Sequence, residues 1–332
     1  MNEIGPSRDL LDRRSFLTLL AIATASPLVA CTRQPRPPVS RPTVTWFTPD
    51  SFWNKPLPDD APEDPRSEAF VGWLQANTEG FLLSGLDGNR WGMPCFDAGD
   101  GDPSWGVSLG EITPQTREIV NGGLRAPDRS ISALTETADS PLVILDPGRG
   151  YQVALWQTRF EGSRFVAENA AIYWRDSNGL APGDVNPDGD PRNGGHRGVA
   201  PFTMLVRPGE IAEQRIDHVL KVAIPGTAEW HVRPMVDHEP DRGGVIGQGM
   251  RLRIRPGLDL ERYDLSEEGL VIARALQRYG AIVGDNSGSP DVVLKVEQDI
   301  GQWAGVDLAA NSLAAIPMDA LVFVRAGWEP ES

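Results

Sequence analysis

Alternating apolar and polar residues predict β-strands along most of this chain. Short runs with a period of two are separated by turns rich in Gly, Pro and Asp, as in strands joined by tight connections. In residues 249–256, Met250, Leu252 and Ile254 alternate with arginines and should face the opposite side from them. The predicted strands are residues 141–145, 151–160, 164–168, 170–176, 217–224, 229–236, 249–256 and 320–326.

Two segments have the period of an amphipathic helix. Residues 64–77 place apolar side chains at helical spacing. Residues 266–279 add a capping Ser266, an acidic first turn and a terminating Gly280. With so few helices, the pattern predicts a mainly β fold: a β-sandwich or jelly-roll-like domain with a few covering helices, spanning residues 44–332.

The N-terminus is typical of a signal peptide covering residues 1–31. Residues 12–17 match the twin-arginine export signature, and an uncharged apolar run follows over residues 17–30. That run is shorter than the roughly 20 residues that a membrane-spanning helix needs. It ends at Cys31 in a sequence that resembles the lipobox of bacterial lipoproteins. An ordinary buried N-terminal helix is the alternative.

This N-terminal sequence predicts the cellular location of the protein. Lipid on Cys31 would anchor it to a bacterial membrane, facing the periplasm or the exterior, after twin-arginine export. Residues 32–43 are rich in proline and poor in apolar residues, which favours an extended tether. Of the 2 cysteines, Cys95 then has no partner for an intramolecular disulfide. A nucleophilic role for Cys95 is disfavoured, because nearby carboxylates would raise its pKa.

Composition narrows the function classes. The formal net charge of −15 disfavours a nucleic-acid partner, since binding phosphate backbones requires basic patches. The charge leaves carboxylates available for metal binding or acid–base chemistry. The 35 glycines and 29 prolines fit many short strands joined by turns. The sequence contains no zincin, phosphate-loop or CxxC motif.

An acidic stretch over residues 184–198 is a candidate cation loop. Asp184, Asn186, Asp188 and Asp190 take alternating positions, like the first half of an EF-hand loop. The pattern departs at Gly195, where a bidentate glutamate is expected. An EF-hand is therefore unsupported, and two alternatives remain: a calcium loop of another kind, or a solvated turn.

Acid–base candidates cluster in the second half of the chain. All 4 histidines lie between residues 196 and 238. His196 follows the acidic loop, and Asp217 and His218 begin a strand, where His218 could also be a satisfied histidine at the sheet rim. Asp285 and Asn286 follow a short buried strand, a common way to present a carboxylate; an Asp-Asn turn is the alternative. A zinc site joining His218 to His231 or His238 is also open.

Several of these segments resemble segments of a known group of proteins. They are Gly195–Gly198 with residues 201–210, residues 215–222, residues 275–280 with Asp285 and Asn286, and residues 51–58. Together they resemble a poorly characterised group of secreted bacterial β-proteins, over roughly residues 140 to 290. The resemblance implies a carbohydrate-active or cell-surface protein and assigns no reaction.

Two functions compete on these observations. The first is a membrane-anchored enzyme of the cell envelope, a glycoside hydrolase or polysaccharide lyase. Its carboxylates, Asp217 and Asp285, would act as acid and base with help from His196 or His218, and its 10 tryptophans could stack on sugar rings. The alternative is a non-catalytic lipoprotein that binds glycan or a partner and is stabilised by calcium.

Overall fold

The computed structural model describes residues 45–135 and 137–330. The predicted signal peptide, the lipid site at Cys31 and the tether at residues 32–43 lie outside the described residues and stay predictions. Within the described ranges, no helix combines the length and the apolar character that crossing a membrane requires.

Strands dominate the structure. Strand residues make up 25% and helix residues 16% of the part of the chain that the structure describes, which confirms the prediction of a mainly β fold with few helices. The strands are β1 (Phe81–Leu83), β2 (Cys95–Asp97), β3 (Ser104–Leu109), β4 (Leu124–Arg125), β5 (Leu142–Asp146), β6 (Tyr151–Trp156), β7 (Arg159–Glu161), β8 (Arg164–Ala167), β9 (Asn169–Trp174), β10 (Leu220–Ile224), β11 (Arg251–Ile254), β12 (Ala281–Asn286), β13 (Val292–Leu294) and β14 (Leu321–Phe323). The helices are α1 (Ser67–Asn77), α2 (Arg117–Gly122), α3 (Arg129–Ser132), α4 (Pro208–Ala212) and α5 (Glu267–Arg278).

The strands form three sheets in layers. The first sheet has the order β1-β13-β10-β12-β11-β14, the second β2-β5-β6-β9, and the third β4-β3-β8-β7. One apolar core joins the first sheet to helices α1 and α5, a second core lies between the first and second sheets, and a third core lies between the second and third sheets. The second sheet is therefore covered on both faces.

Strand β5 of the second sheet has a continuous apolar sequence because both of its faces are buried. Leu142 and Ile144 face the core shared with the third sheet, while Val143 and Leu145 face the core shared with the first. A strand buried on both faces needs apolar side chains at every position rather than at alternate ones. Strand β6 pairs antiparallel with β5, to which a turn joins it, and with β9, which follows β7 and β8 in the chain.

Helix α5 forms as its sequence predicts. The Ser266 hydroxyl accepts a hydrogen bond from the Gly269 N–H at 3.1 Å, which satisfies one of the free donors of the first turn. Ile272 and Leu276 are buried against the first sheet. Gly280 follows with φ at +71°, a conformation that glycine adopts without steric cost.

Replacing Ser266 with alanine tests this cap. Alanine cannot accept the Gly269 hydrogen bond, so the free energy of unfolding should fall by about 1 kcal/mol, measured by urea titration. Ser266→Asp keeps an acceptor and should restore most of that stability. Equal stability of the alanine and aspartate variants would contradict the capping role.

The alternation in residues 249–256 is present, but both faces of β11 are covered. Arg251 donates to the Tyr279 carbonyl at 2.7 Å and to the Lys55 carbonyl at 3.1 Å. Arg253 donates to the Pro58 carbonyl at 2.8 Å. Carbonyls of Lys55 and Pro58, near the start of the described region, and of Tyr279 therefore accept hydrogen bonds on the arginine face.

The strand predicted over residues 229–236 is absent. Only one isolated bridge forms there, between His231 and Gln248. Pro234 has no N–H to give to a ladder. The Met235 N–H bonds to the Val232 carbonyl at 3.0 Å, so this stretch closes into a turn instead of extending.

Candidate functional site

A cleft of about 630 Å³ lies beside the first and second sheets. Its size falls in the range of small-molecule sites, roughly 300 to 1,000 Å³. Trp156 at the end of β6 and Asn169 at the start of β9 line one side, and the residues that follow β12 line another. The loop at residues 195–198 supplies His196 and Arg197. The cleft thus combines residues far apart in the sequence.

The loop that carries His196 has an unusual backbone. His196 and Arg197 have φ of 48° and 54°, in the left-handed region that non-glycine residues rarely adopt. The loop is held by bonds to its own carbonyls: the Tyr173 hydroxyl donates to Gly195 at 3.2 Å, and the Val236 N–H donates to Arg197 at 2.9 Å. Such strain persists where the surroundings impose it, and it is frequent at functional sites.

His196 is held between an aromatic ring and a lysine. Its imidazole stacks on Trp156, with ring centroids 4.6 Å apart and an angle of 25°. Its Nε2 lies 2.8 Å from Nζ of Lys221. Among the described residues, its Nδ1 has no hydrogen-bond partner, so this nitrogen is available to a molecule in the cleft.

Lys221 is the most buried charged group of the site. Its side chain is 1% exposed, and Nζ also donates to Oδ2 of Asp285 at 3.3 Å. Gly284 makes room for it, because a Cβ at that position would lie 2.8 Å from Cε of Lys221. A register shift between Val222 and Ala223 in the β10–β12 pairing sets Asp285 opposite Ala223.

The charges of the site shift one another's pKa. Burial, with repulsion from Lys295 and Arg197, lowers the pKa of Lys221 to about 8, although Asp285 opposes this shift. Burial and the charge of Lys221 hold the pKa of His196 well below its usual value. Burial alone would raise the pKa of Asp285, but Lys221 and Lys295 bring it below its ordinary range. At neutral pH, a charged Lys221 therefore donates to the unprotonated Nε2 of a neutral His196, whose ring proton is on Nδ1.

A second carboxyl group adjoins Asp285. Arg197 Nη2 lies 3.4 Å from Asp285 Oδ1 and 3.5 Å from Glu239 Oε1, so one guanidinium serves both. Burial, and then the charge of Asp285, raise the pKa of Glu239. The Asn286 N–H donates to Glu239 Oε2 at 2.7 Å, and the Asn286 Oδ1 accepts from the Thr227 N–H at 2.7 Å. Asn286 thus links the Asp285–Glu239 pair to the backbone of Thr227.

The structure brings together three of the five predicted acid–base residues: His196, Asp285 and Asn286 line the cleft. Asp217 does not line it; its carboxylate lies 2.6 Å from Nε of Arg215 and accepts from the Tyr279 hydroxyl at 3.3 Å.

His218 does not line the cleft either. It is buried with Nε2 2.9 Å from Glu210 and Nδ1 2.9 Å from the Val219 carbonyl. The prediction that Asp217 and His218 begin a strand is wrong, because β10 begins at Leu220. His218, ahead of the strand, contacts Glu210, whereas Lys221, within the strand, reaches His196 and Asp285. Catalytic roles for Asp217 and His218 stay predictions that the cleft geometry does not support.

Several cleft residues were not predicted as site residues. Lys221 carried a usable signal, since it is a charged residue in the middle of an otherwise apolar strand and lies opposite in parity to its apolar neighbours. Arg197 adjoins the predicted His196. Trp156 is one of the tryptophans expected either to stack on sugar rings or to fill the core. Glu239 and Lys295 carried no local signal, because only the packing of separate segments brings them to the cleft.

The acidic loop has arginine partners. Asp188 accepts two hydrogen bonds from Arg233, at 2.6 and 2.9 Å, and Asp190 accepts from Arg192 at 2.7 Å. The amide nitrogen of Asn186 donates to the carbonyls of Ala181 and Pro234, at 3.0 and 2.9 Å. Asp184 is exposed. In residues 45–135 and 137–330, no three His, Cys, Asp or Glu side chains form a group that could hold a metal ion.

Calcium binding by this loop stays a prediction, with a direct test. A Ca²⁺ ion would have to replace the arginines as partners of Asp188 and Asp190. If the loop binds calcium, added Ca²⁺ raises the melting temperature relative to EDTA, and Asp188→Asn removes the difference. Identical melting temperatures of the wild-type protein in both conditions would contradict the prediction.

The proposed zinc partners are also separated. His218, which both predicted zinc pairs share, is hydrogen-bonded to Glu210 at 2.9 Å, and the centroids of the His231 and His238 rings lie 5.5 Å from each other. The thiol of Cys95 is buried on β2 and donates to the Met93 carbonyl at 3.2 Å.

A serine-hydrolase spacing occurs once, in Gly106-Val-Ser-Leu-Gly110. The nucleophile of that motif must sit on a sharp turn between a strand and a helix. Ser108 instead lies within β3, opposite Val166 of β8. The spacing therefore does not indicate a serine nucleophile.

Comparison with protein-family models, with curated proteins and with solved structures finds no match to this chain. The resemblance to secreted bacterial β-proteins stays a prediction.

Proposed function

We propose that this protein is an exported, lipid-anchored enzyme that acts on polysaccharide, with His196, Lys221 and Asp285 as its acid–base centre. The observation that carries the proposal is the position of Lys221 Nζ, buried between His196 Nε2 and Asp285 Oδ2 beside an open cleft. Burying an ammonium group is costly unless it is paired. Buried titratable groups with strongly shifted pKa values are frequent at catalytic sites.

The His196–Lys221 pair can move a proton to or from a ligand. When Nδ1 of His196 gives its proton to a departing oxygen, Nε2 can take one from Lys221, and the ring stays neutral. The same path in reverse makes Nδ1 a base. A general acid or base placed in this way typically contributes about 10² to 10⁴ in rate.

The lining of the cleft supports a sugar ligand. Trp91, with 48% of its surface exposed, and Trp156 supply apolar ring faces. Asn89, Asn169 and Ser287 supply hydrogen-bonding groups around them. Aromatic faces combined with a few fixed polar groups suit the alternating apolar faces and hydroxyl edges of sugar rings.

A panel of bacterial and plant polysaccharides tests the proposal. The wild-type protein should release oligosaccharides from at least one of them, and His196→Ala should lower kcat by about 100-fold or more. Asp217→Asn, which changes a carboxylate outside the cleft, should retain full turnover.

Two results would contradict the proposal. Binding of a glycan without turnover would favour the non-catalytic lipoprotein instead. Full turnover by His196→Ala would place the chemistry elsewhere, and loss of turnover in Asp217→Asn would return the acid–base role to Asp217.

A further inference from the structure

We propose that the cleft takes an acidic glycan, in which a sugar ring carries a carboxylate, and cleaves it by β-elimination rather than by hydrolysis. This inference rests on the proposed function, because it names the substrate class and reaction of the same site. Three observations support it: cations in the cleft without carboxylate partners, a local charge balance that differs from that of the whole protein, and the arrangement of the two adjoining carboxyl groups.

Two cations of the cleft have no carboxylate partner. Lys295 and Arg242 both line the cleft, and neither lies within 4.0 Å of a carboxylate among the described residues. Lys295 follows β13 directly, and its backbone N–H bonds to the Lys221 carbonyl at 3.2 Å. Its charge shifts the pKa of Lys221, His196 and Asp285, so it acts on the acid–base centre itself. An anion bound beside Lys295 would therefore lie in the same cleft as His196.

The balance of charge in the cleft differs from that of the whole protein. The chain has a formal net charge of −15. The charged residues that line the cleft are Arg197, Arg242, Lys295, Asp139, Glu239 and Asp285, with Lys221 beneath them. Cations thus equal or exceed carboxylates there, and the raised pKa of Glu239 reduces the negative charge further. Placing cations in the cleft of an acidic protein favours an anionic ligand over a neutral one.

The carboxyl groups are not arranged for glycoside hydrolysis. Hydrolysis uses two carboxyl groups about 5 to 9.5 Å apart, on either side of the scissile bond. Asp285 and Glu239 instead both contact one atom, Arg197 Nη2, at 3.4 and 3.5 Å. A sugar bound between the two carboxyl groups would have to displace this guanidinium.

Elimination needs the groups that the cleft does offer. Lys295 and Arg242 neutralise the sugar carboxylate, which makes the hydrogen on the adjacent ring carbon, carbon 5, more acidic. Nδ1 of His196 removes that proton while Nε2 passes its own to an uncharged Lys221. The electrons of the C–H bond form a double bond between carbons 4 and 5, and the bond from carbon 4 to the glycosidic oxygen breaks. The proton then returns through His196 to the departing oxygen, so no water, oxidant or reductant is consumed.

The test compares one uronate polymer with its carboxyl-reduced form, which differs only in that group. The acidic polymer should be cleaved, with ultraviolet absorbance from the unsaturated product and no ¹⁸O uptake from labelled water. The carboxyl-reduced polymer should not be cleaved. Lys295→Met should lower kcat/KM by about 100-fold, as loss of a group that stabilises developing charge does. Arg274→Met, on the exposed face of α5, is the matched control and should have no effect.

Failure of this inference differs from failure of the proposed function. Equal cleavage of both polymers, ¹⁸O in the product, or full activity of Lys295→Met would overturn elimination from an acidic glycan while leaving a polysaccharide-acting enzyme. Absence of turnover on every acidic and neutral glycan would overturn both.

Discussion

Replacing Lys221 with methionine is expected to lower kcat by about 100-fold or more on any glycan that the protein cleaves. Lys221 is the only group within hydrogen-bond distance of His196 Nε2 among the described residues, and it lies 2.8 Å away. Without it, Nε2 can neither receive nor give a proton during the reaction. The KM should change little, because Lys221 is buried beneath the cleft rather than in its lining.

Folding must be measured beside activity in this variant. Methionine is close to lysine in length and removes the cost of burying an ammonium group. Asp285 keeps Arg197 as a partner at 3.4 Å. We therefore expect Lys221→Met to have a urea midpoint close to that of the wild-type protein. Lys55→Met is the control and should retain normal activity. A fully active, folded Lys221→Met protein would remove Lys221 from the proposed centre.

The pH profile separates a chemical role from a structural one. In the elimination scheme, the His196–Lys221 pair must lose one proton before Nδ1 can act as a base. The charged groups that face the pair are Asp285, Arg197 and Lys295, and together with burial they set the pKa of Lys221 at about 8. Activity should therefore rise as the pH increases through about 8, and Lys221→Met should lack that step. A residual activity of Lys221→Met with the same pH profile would contradict the assignment.

Replacing Glu210 with leucine is expected to cause the largest loss of stability, about 3 to 5 kcal/mol. Glu210 is buried and bound on both sides: Arg207 donates to it from its side chain and backbone, and His218 Nε2 lies 2.9 Å from Oε1. Leucine would leave the buried guanidinium of Arg207 without its carboxylate. Urea titration gives the loss, and Arg207→Met in the same chain should recover part of it. Equal stability of Glu210→Leu and the wild-type protein would show that the Arg207–Glu210 pair does not stabilise the fold.

The same carboxylate makes stability depend on pH. Burial alone would raise the pKa of Glu210, but the charges of Arg207 and His218 lower it from 4.5 to about 2. A lowered pKa in the folded state contributes stability above the unfolded value, and that stability is lost as the pH falls from about 4.5 toward 2. Glu210→Gln should reduce this dependence, whereas Glu229→Gln, at an exposed position, should not. Parallel pH curves for wild type and Glu210→Gln would contradict the assignment.

Features that depend on neighbouring residues were predictable from the sequence. The antiparallel strands β5, β6 and β9 follow from alternation interrupted by turn residues, and α5 follows from a cap, an apolar face and Gly280. Each of these signals acts over a few residues, so no knowledge of distant contacts is needed. Residues 229–236 show the limit, because their apolar pattern resembles a strand while Pro234 and a local turn prevent one.

Sequence alone determined a mainly β chain, the segments that carry His196, Asp285 and Asn286, and the acidic loop. Only the tertiary structure decided which of these residues share a site. Lys221 and His218 lie three positions apart, yet Lys221, in β10, reaches His196 and Asp285, while His218, just before the strand, contacts the buried carboxylate of Glu210. Asp188 resembles a calcium ligand in sequence, but in the fold it accepts hydrogen bonds from Arg233, which comes from a different segment. A side chain's partners depend on which distant segments pack beside it, and a local pattern of residues does not contain that information.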